Sequence, residues 1–195
     1  NMIKNIGIIG GTGNMGSCFR NAFENLGLNI QVSDINSKDK EDHIIENSDW
    51  IILTVPINET LKVFKNIKNK IKKNQIFSDF TSVKSILAND INNCNFEFIS
   101  CHPLFGPLNN LKGQNIVTIP IVSKEKHPLI IEIFEKIGLK ITELKSFKEH
   151  DEYMSLIQGM THFSHVCFTT AMKKLNPDLD KIMEICSPIY QSNIS

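Results

Sequence analysis

The sequence predicts an α/β fold, a doubly wound and mostly parallel sheet followed by the start of an all-helical element. Three observations carry that reading. Short β-branched runs alternate with amphipathic stretches over about the first 140 residues, the pattern of repeated β-α-β units. The runs are apolar on successive residues, as in Ile8-Ile9 and Ile51-Ile52-Leu53, which marks strands covered on both faces. Near Ser146 the texture changes to one long helical pattern. With 195 residues, 41% apolar and 22% charged, the chain has the composition of a globular protein, so disordered and collagen-like classes are excluded.

In chain order, strands are expected at Ile3–Ile9, Leu28–Ser33, Trp50–Val55, Gln75–Ser78, Phe96–Ser100, Asn115–Ile121 and Leu139–Thr142. Helices are expected at Asn14–Leu26, Glu59–Ile71, Val83–Ile91 and Pro128–Ile137. Ser146-Phe-Lys-Glu149 has capping-box spacing and opens a helix running to about Leu175, where Asn176-Pro177-Asp178 breaks it. A short helix before Pro188 is expected next.

Twenty-one basic and 21 acidic residues cancel, so no basic excess advertises a nucleic-acid partner. Arg20 is the only arginine. Five scattered cysteines (Cys18, Cys94, Cys101, Cys167, Cys186) without a C-x-x-C pair read as free thiols in a reducing cytoplasm. Asn1 reads as an appended residue. Met2-Ile3-Lys4 runs straight into a strand, so no secretory leader is expected. Tyr153–Met172 lacks charged residues, but eight polar side chains, Gln158, His162 and His165 among them, argue against a membrane span.

Gly11-Thr12-Gly13-Asn14-Met15-Gly16 is G-x-G-x-x-G between a strand and a helix, and Asp34 lies 18 residues beyond Gly16. In that context the motif is a dinucleotide fingerprint, so the domain is expected to be of the Rossmann type. Gly11 permits the tight turn, Gly13 the approach of a pyrophosphate, and Gly16 close helix–strand packing. The helix N-terminus offers free N–H groups to the phosphates. Asp34 would accept hydrogen bonds from the ribose hydroxyls and repel a 2′-phosphate, which favours NAD; nearby Lys38 keeps NADP open. Thr54-Val55-Pro56 ends the third strand at the carboxyl edge of the sheet, either as a plain strand stop or as part of the cofactor site.

His102 lies in a stiff Ser-Cys-His-Pro-Leu-Phe-Gly-Pro segment just after a strand. It is either a structural histidine or a proton acceptor for a hydroxyl, since an imidazole titrates near pH 6.5. Asp79-Phe-Thr-Ser82-Val-Lys84 likewise follows a strand, and Thr81 or Ser82 is a candidate cap. On the long helix, Asp151, Ser155, Gln158, His162, His165 and Thr169 fall within an arc of about 80°, and the rest of the circumference is largely apolar. Such a helix is expected to be buried, its stripe lining a ligand cleft or joining a hydrogen-bond network. His162 and His165 lack further ligands at metal-binding spacing.

Taken together, the segments resemble prephenate dehydrogenase, the NAD(P)-dependent family of tyrosine biosynthesis. The resemblance rests on the glycine loop, Thr54-Val-Pro56, Asp79-Phe-Thr-Ser-Val-Lys84, His102-Pro-Leu-Phe-Gly-Pro107, Glu149-His150-Asp151, Ile157-Gln-Gly-Met-Thr-His-Phe163 and Ser187-Pro-Ile-Tyr190. It implies residues 1–145 as the dinucleotide-binding domain and 146–195 as part of a helical substrate and dimerisation domain. It further implies oxidative decarboxylation of prephenate to 4-hydroxyphenylpyruvate, or the arogenate equivalent, in a cytoplasmic homodimer. His102 would draw off the ring-hydroxyl proton with Ser82 in support, and Gln158, His162 and His165 would wall the substrate site. Gln191 stands where the pattern has an arginine, and no residue matches a second arginine that grips a substrate carboxylate.

Overall fold

The computed structural model describes residues 2–34, 38–91, 94–176 and 178–185. Two compact units divide the chain after Asp151, and each is considered by itself.

The first unit is built on a seven-stranded sheet: β1 Asn5–Ile9, β2 Asn29–Ser33, β3 Trp50–Leu53, β4 Ile76–Asp79, β5 Glu97–Pro103, β6 Asn115–Val122 and β7 Lys140–Glu143. Their order is β2-β1-β3-β4-β5-β6-β7. All pairs are parallel except β5 with β6, so the doubly wound class holds. The order reverses between β1 and β3, the switch point that opens a ligand crevice at the carboxyl edge.

Alternation along the strands feeds two cores. Ile6, Ile8, Trp50 and Ile52 pack with Phe19 and Phe23 of α1 (Asn14–Asn25) and Phe134 of α4 (His127–Ile137). On the other face Ile9, Ile51 and Leu53 pack with Ile45 of α2 (Lys38–Asn47), Phe64 of α3 (Ile57–Ile67) and Phe147. Phe147 begins α5 (Phe147–Leu175), and its ring meets Phe98 of β5 edge-on at 6.2 Å. Ser146 caps α5 as expected, its Oγ accepting from Glu149 N at 3.1 Å; the Glu149 carboxylate accepts from Lys145 N rather than Ser146 N.

Three expectations are corrected. Val83–Ile91 forms only a 3₁₀ turn, Ser85–Leu87, closed by i→i+3 bonds, because Lys84 is drawn inward to Asp79 at one end and Asp90 is held by Lys65 and Lys68 at the other. α2 escapes the hydrophobic pattern because its first six residues are all charged or histidine; Ile44, which would touch any Cβ at Gly7, docks it on the sheet. β5 runs three residues past Ser100, because antiparallel β6 pairs Cys101, His102 and Pro103 with Thr118, Val117 and Ile116.

In the second unit α5 continues to Leu175 and α6 spans Leu179–Ile185. The expected burial of the long helix is not found. Its apolar side chains Tyr153, Leu156, Ile157, Met160, Phe163 and Val166 are exposed, as is the polar stripe beyond Asp151. Among the described residues of this unit, one helix and a seven-residue one offer too little surface to cover the whole circumference. No helix among the described residues is long and apolar enough to cross a membrane.

Candidate active site

The turn after β1 is tied to the end of β2: Gly10 N and Gly11 N both donate to Ser33 O, at 2.8 and 3.3 Å. The left-handed residue is Gly10, at φ 82°, not Gly11. Gly11 is needed for another reason, since a Cβ there would lie 2.7 Å from Val32 Cγ1. Gly16 seats α1 on the turn, where a Cβ would lie 2.6 Å from Gly11 Cα and 2.7 Å from Gly10 O. Gly13 is the N-cap residue of α1 and supplies no side-chain cap. A Cβ on Gly13 would meet only Gly10 O, at 3.3 Å, so the helix end stands open to an anion. Asp34 is exposed and accepts a hydrogen bond from Thr12 Oγ1. Ser33 Oγ is buried without a partner among the described residues. An open helix N-terminus, a glycine cradle and an acceptor at the end of β2 fit a dinucleotide.

Beside this turn, a cavity of about 320 Å³ is lined by Met15, Thr54, Val55, Phe80, Ser82 and His102, with Ile57, Thr81, Pro103 and Phe105 completing its wall. These residues come from α1 and from the carboxyl ends of β3, β4 and β5. Phe19 beneath braces Phe80 edge-on at 4.7 Å and Phe105 at 6.1 Å. Thr54 Oγ1 donates to Gly10 O at 3.1 Å, so it also fixes the glycine turn. Pro56 is the N-cap residue of α3.

Behind the cavity lies a fully buried ion pair. Lys84 Nζ donates to Asp79 Oδ2 at 2.7 Å and to Cys101 O at 2.6 Å, both side chains being wholly inaccessible. Asp79 also accepts from Ser100 Oγ at 2.5 Å and from Thr81 N and Oγ1. Thr81 is thereby consumed, while Ser82 stays exposed. The network anchors Ser100 and Cys101, the two residues that precede His102 on β5. Burial first, then the positive charge of Lys84, holds the His102 imidazole down to about 4, so it is neutral at physiological pH. Cys101 is no nucleophile: burial pushes its thiol up to about 12 against the opposing charge of Lys84.

His102 Nδ1 lies 2.8 Å from His150 Nε2, and His150 Nδ1 lies 2.8 Å from Asp151 Oδ1. His150 is fully buried. The structure thus gathers Met15, Thr54, Val55, Ser82 and His102 around one cavity, with the glycine turn adjoining it. Gln158, His162 and His165 belong to the second unit and are exposed there. Lys38's side chain, Cys186, the Ser187–Tyr190 segment and Gln191 lie outside what is described. Pattern reading passed over His150, Lys84 and Asp79 as functional side chains. Their signal was a charged residue closing a strand, and a histidine one turn after the buried Phe147.

The fold and site define a nucleotide-binding α/β unit of the dehydrogenase type, with a neutral histidine at the edge of its cleft. Residues 20–142, more than half of the chain, match the model of the family described as prephenate dehydrogenase, nucleotide-binding domain, and the chain belongs to that family. It is similar to a probable arogenate/prephenate dehydrogenase of Methanocaldococcus jannaschii, 29% identical over 97% of this chain and 47% of the relative. It is also 29% identical to the T-protein of Haemophilus influenzae, over 99% of this chain and 52% of that protein. The chain therefore spans about half the length of these curated relatives. Among solved structures it resembles prephenate dehydrogenase from A. aeolicus in complex with hydroxyphenyl propionate and NAD+, with TM-score 0.68 and 16% identity over 96% of this chain and 72% of that one.

Proposed function

We propose that this chain carries the catalytic half of an NAD-dependent dehydrogenase that oxidatively decarboxylates prephenate, with arogenate as the alternative substrate. The observation that carries this reading is His102, neutral and in the wall of the cavity that Ser82 and Met15 also line. His102 accepts the proton of the ring hydroxyl as the carbon bearing it is oxidised. Bound NAD supplies the acceptor for the hydride leaving that carbon. Loss of the ring carboxylate as CO2 restores aromaticity, and the proton returns from His102 to the same oxygen, now a phenolate. Ser82 orients the hydroxyl from the cavity wall. Gly11, Thr12, Gly13, Asn14, Met15 and Gly16 hold the pyrophosphate, Asp34 the adenine-side ribose, and Thr54-Val55-Pro56 the edge beside it. Exposed Asp34 favours NAD over NADP by repelling a 2′-phosphate.

No cationic side chain lines the cavity among the described residues, and Arg20 is paired with Glu24 on the exposed side of α1, at 2.9 Å. Gln158, His162 and His165 are the substrate-binding residues of this reading. The same observation favours a second reading, a nucleotide-binding relative without turnover. Exposed Leu156, Met160 and Phe163 support a homodimer, and free Cys18, Cys94 and Cys101 suit the cytoplasm. The test is His102→Asn: NADH still binds, while NADH formation from prephenate and NAD falls by about 10²–10⁴-fold. Unchanged turnover removes His102 from the reaction, and NADH binding without turnover in the parent chain selects the second reading.

A further inference from the structure

We infer that His150 and Asp151 are positioning residues that hold His102 in the tautomer protonated at Nδ1. Nε2 is then left as the bare nitrogen that meets the substrate hydroxyl. The inference rests on the reading of His102 as the proton acceptor and deepens it.

Asp151 Oδ1 accepts from Lys84 N at 3.1 Å and its Oδ2 from Ser85 N at 2.9 Å. Burial raises its pKa, but the bonds from His150 and from these two N–H groups outweigh that, and the net shift is downward. Asp151 is therefore a carboxylate at neutral pH and can only accept. The facing atom, His150 Nδ1, must carry the proton. Burial lowers the pKa of His150 more than Asp151 raises it, so the ring is neutral and its Nε2 is an acceptor. His102 Nδ1, 2.8 Å away, must then be the donor. Each bond in the chain has only one possible direction.

No other charged group competes for His102 Nδ1. Lys84 and Asp79, from β4 and the turn after it, are bonded to each other and to Cys101 O, Ser100 and Thr81. Cys101, the neighbour on β5, turns its thiol toward Ile99 O. On the α5 side the ring meets that of His150, with centroids 5.0 Å apart. Among the described residues none bonds His102 Nε2, and the ring lines the cavity. The fixed tautomer puts a lone pair where a general base needs one.

Tautomers are read directly by long-range 1H–15N correlation on the 15N-labelled chain, with the His102 ring signals identified by their loss in His102→Asn. The expected spectrum has a pyrrole-type Nδ1 and a pyridine-type Nε2 on His102. His150→Gln keeps one donor and one acceptor and should preserve that pattern. His150→Phe removes the acceptor and should shift His102 toward Nε2–H, with turnover falling on the order of a hundredfold while NADH binding persists. A protonated Nε2 in the parent chain overturns the inference, as do unmoved His102 signals in a folded His150→Phe chain. Since the parent spectrum decides alone, a variant that fails to fold leaves the test intact. Failure of the dehydrogenase reading shows differently, as absent NADH formation by a parent chain whose His102 is correctly protonated.

Discussion

His102 is neutral because the protein buries most of its ring in a cavity wall and beside a lysine that cannot reach water. Lys84 is wholly buried, and its charge is tolerable only because Asp79 and a carbonyl surround it. Reading along the chain, Asp79 and Lys84 look like parts of a capping motif. Their burial follows from where β5 lies, which no local pattern carries. The imidazole's depressed affinity for protons has a cost in acid. In the unfolded chain His102 titrates near 6.5, in the folded chain near 4, so between those values the unfolded state binds more protons. Its contribution, roughly 3 kcal/mol at most, is fully present above the unfolded pKa and is lost as pH falls from about 6.5 toward 4. Buried His127 and His150 are lowered too, and act in the same direction. Urea unfolding at pH 7 and pH 4.5 should show the parent losing more stability than His102→Gln. Equal losses would show that His102 is not protonated with difficulty in the folded chain.

Among the elements, the turn from β1 into α1 was the most legible, because three glycines at fixed spacing leave few backbone solutions. Even there pattern alone cannot say where a chain reverses, and the left-handed residue, Gly10, lies one position before the motif. The two remaining glycines separate packing from binding. Gly16→Ala would drive a methyl into the Gly10–Gly11 backbone and should cost roughly 1–3 kcal/mol, with NADH binding lost alongside. Gly13→Ala meets one oxygen at 3.3 Å and should change stability by no more than about 0.5 kcal/mol while weakening NADH. Thermal melts and NADH titrations on both variants check this; equal stability losses would contradict the separate roles. The polar start of α2 was illegible for the opposite reason, because packing of Ile44 and Ile45, not periodicity, makes it a helix.

At the scale of the whole molecule, strand alternation made the sheet legible, and His102, Ser82 and Thr54 converge because they lie at or just past the carboxyl ends of three adjacent strands, β5, β4 and β3. The long helix was legible as an element but not in its surroundings: its stripe read as a buried feature, whereas both its faces are exposed. An apolar helix of that length predicts self-association, and light scattering should return twice the chain mass of 22.1 kDa; a clean monomer contradicts it. Redox turnover is tested most directly by following NADH fluorescence as the purified chain meets prephenate and NAD. Steady NADH formation is the predicted result. NADH that binds tightly but is never formed from prephenate or arogenate would contradict it.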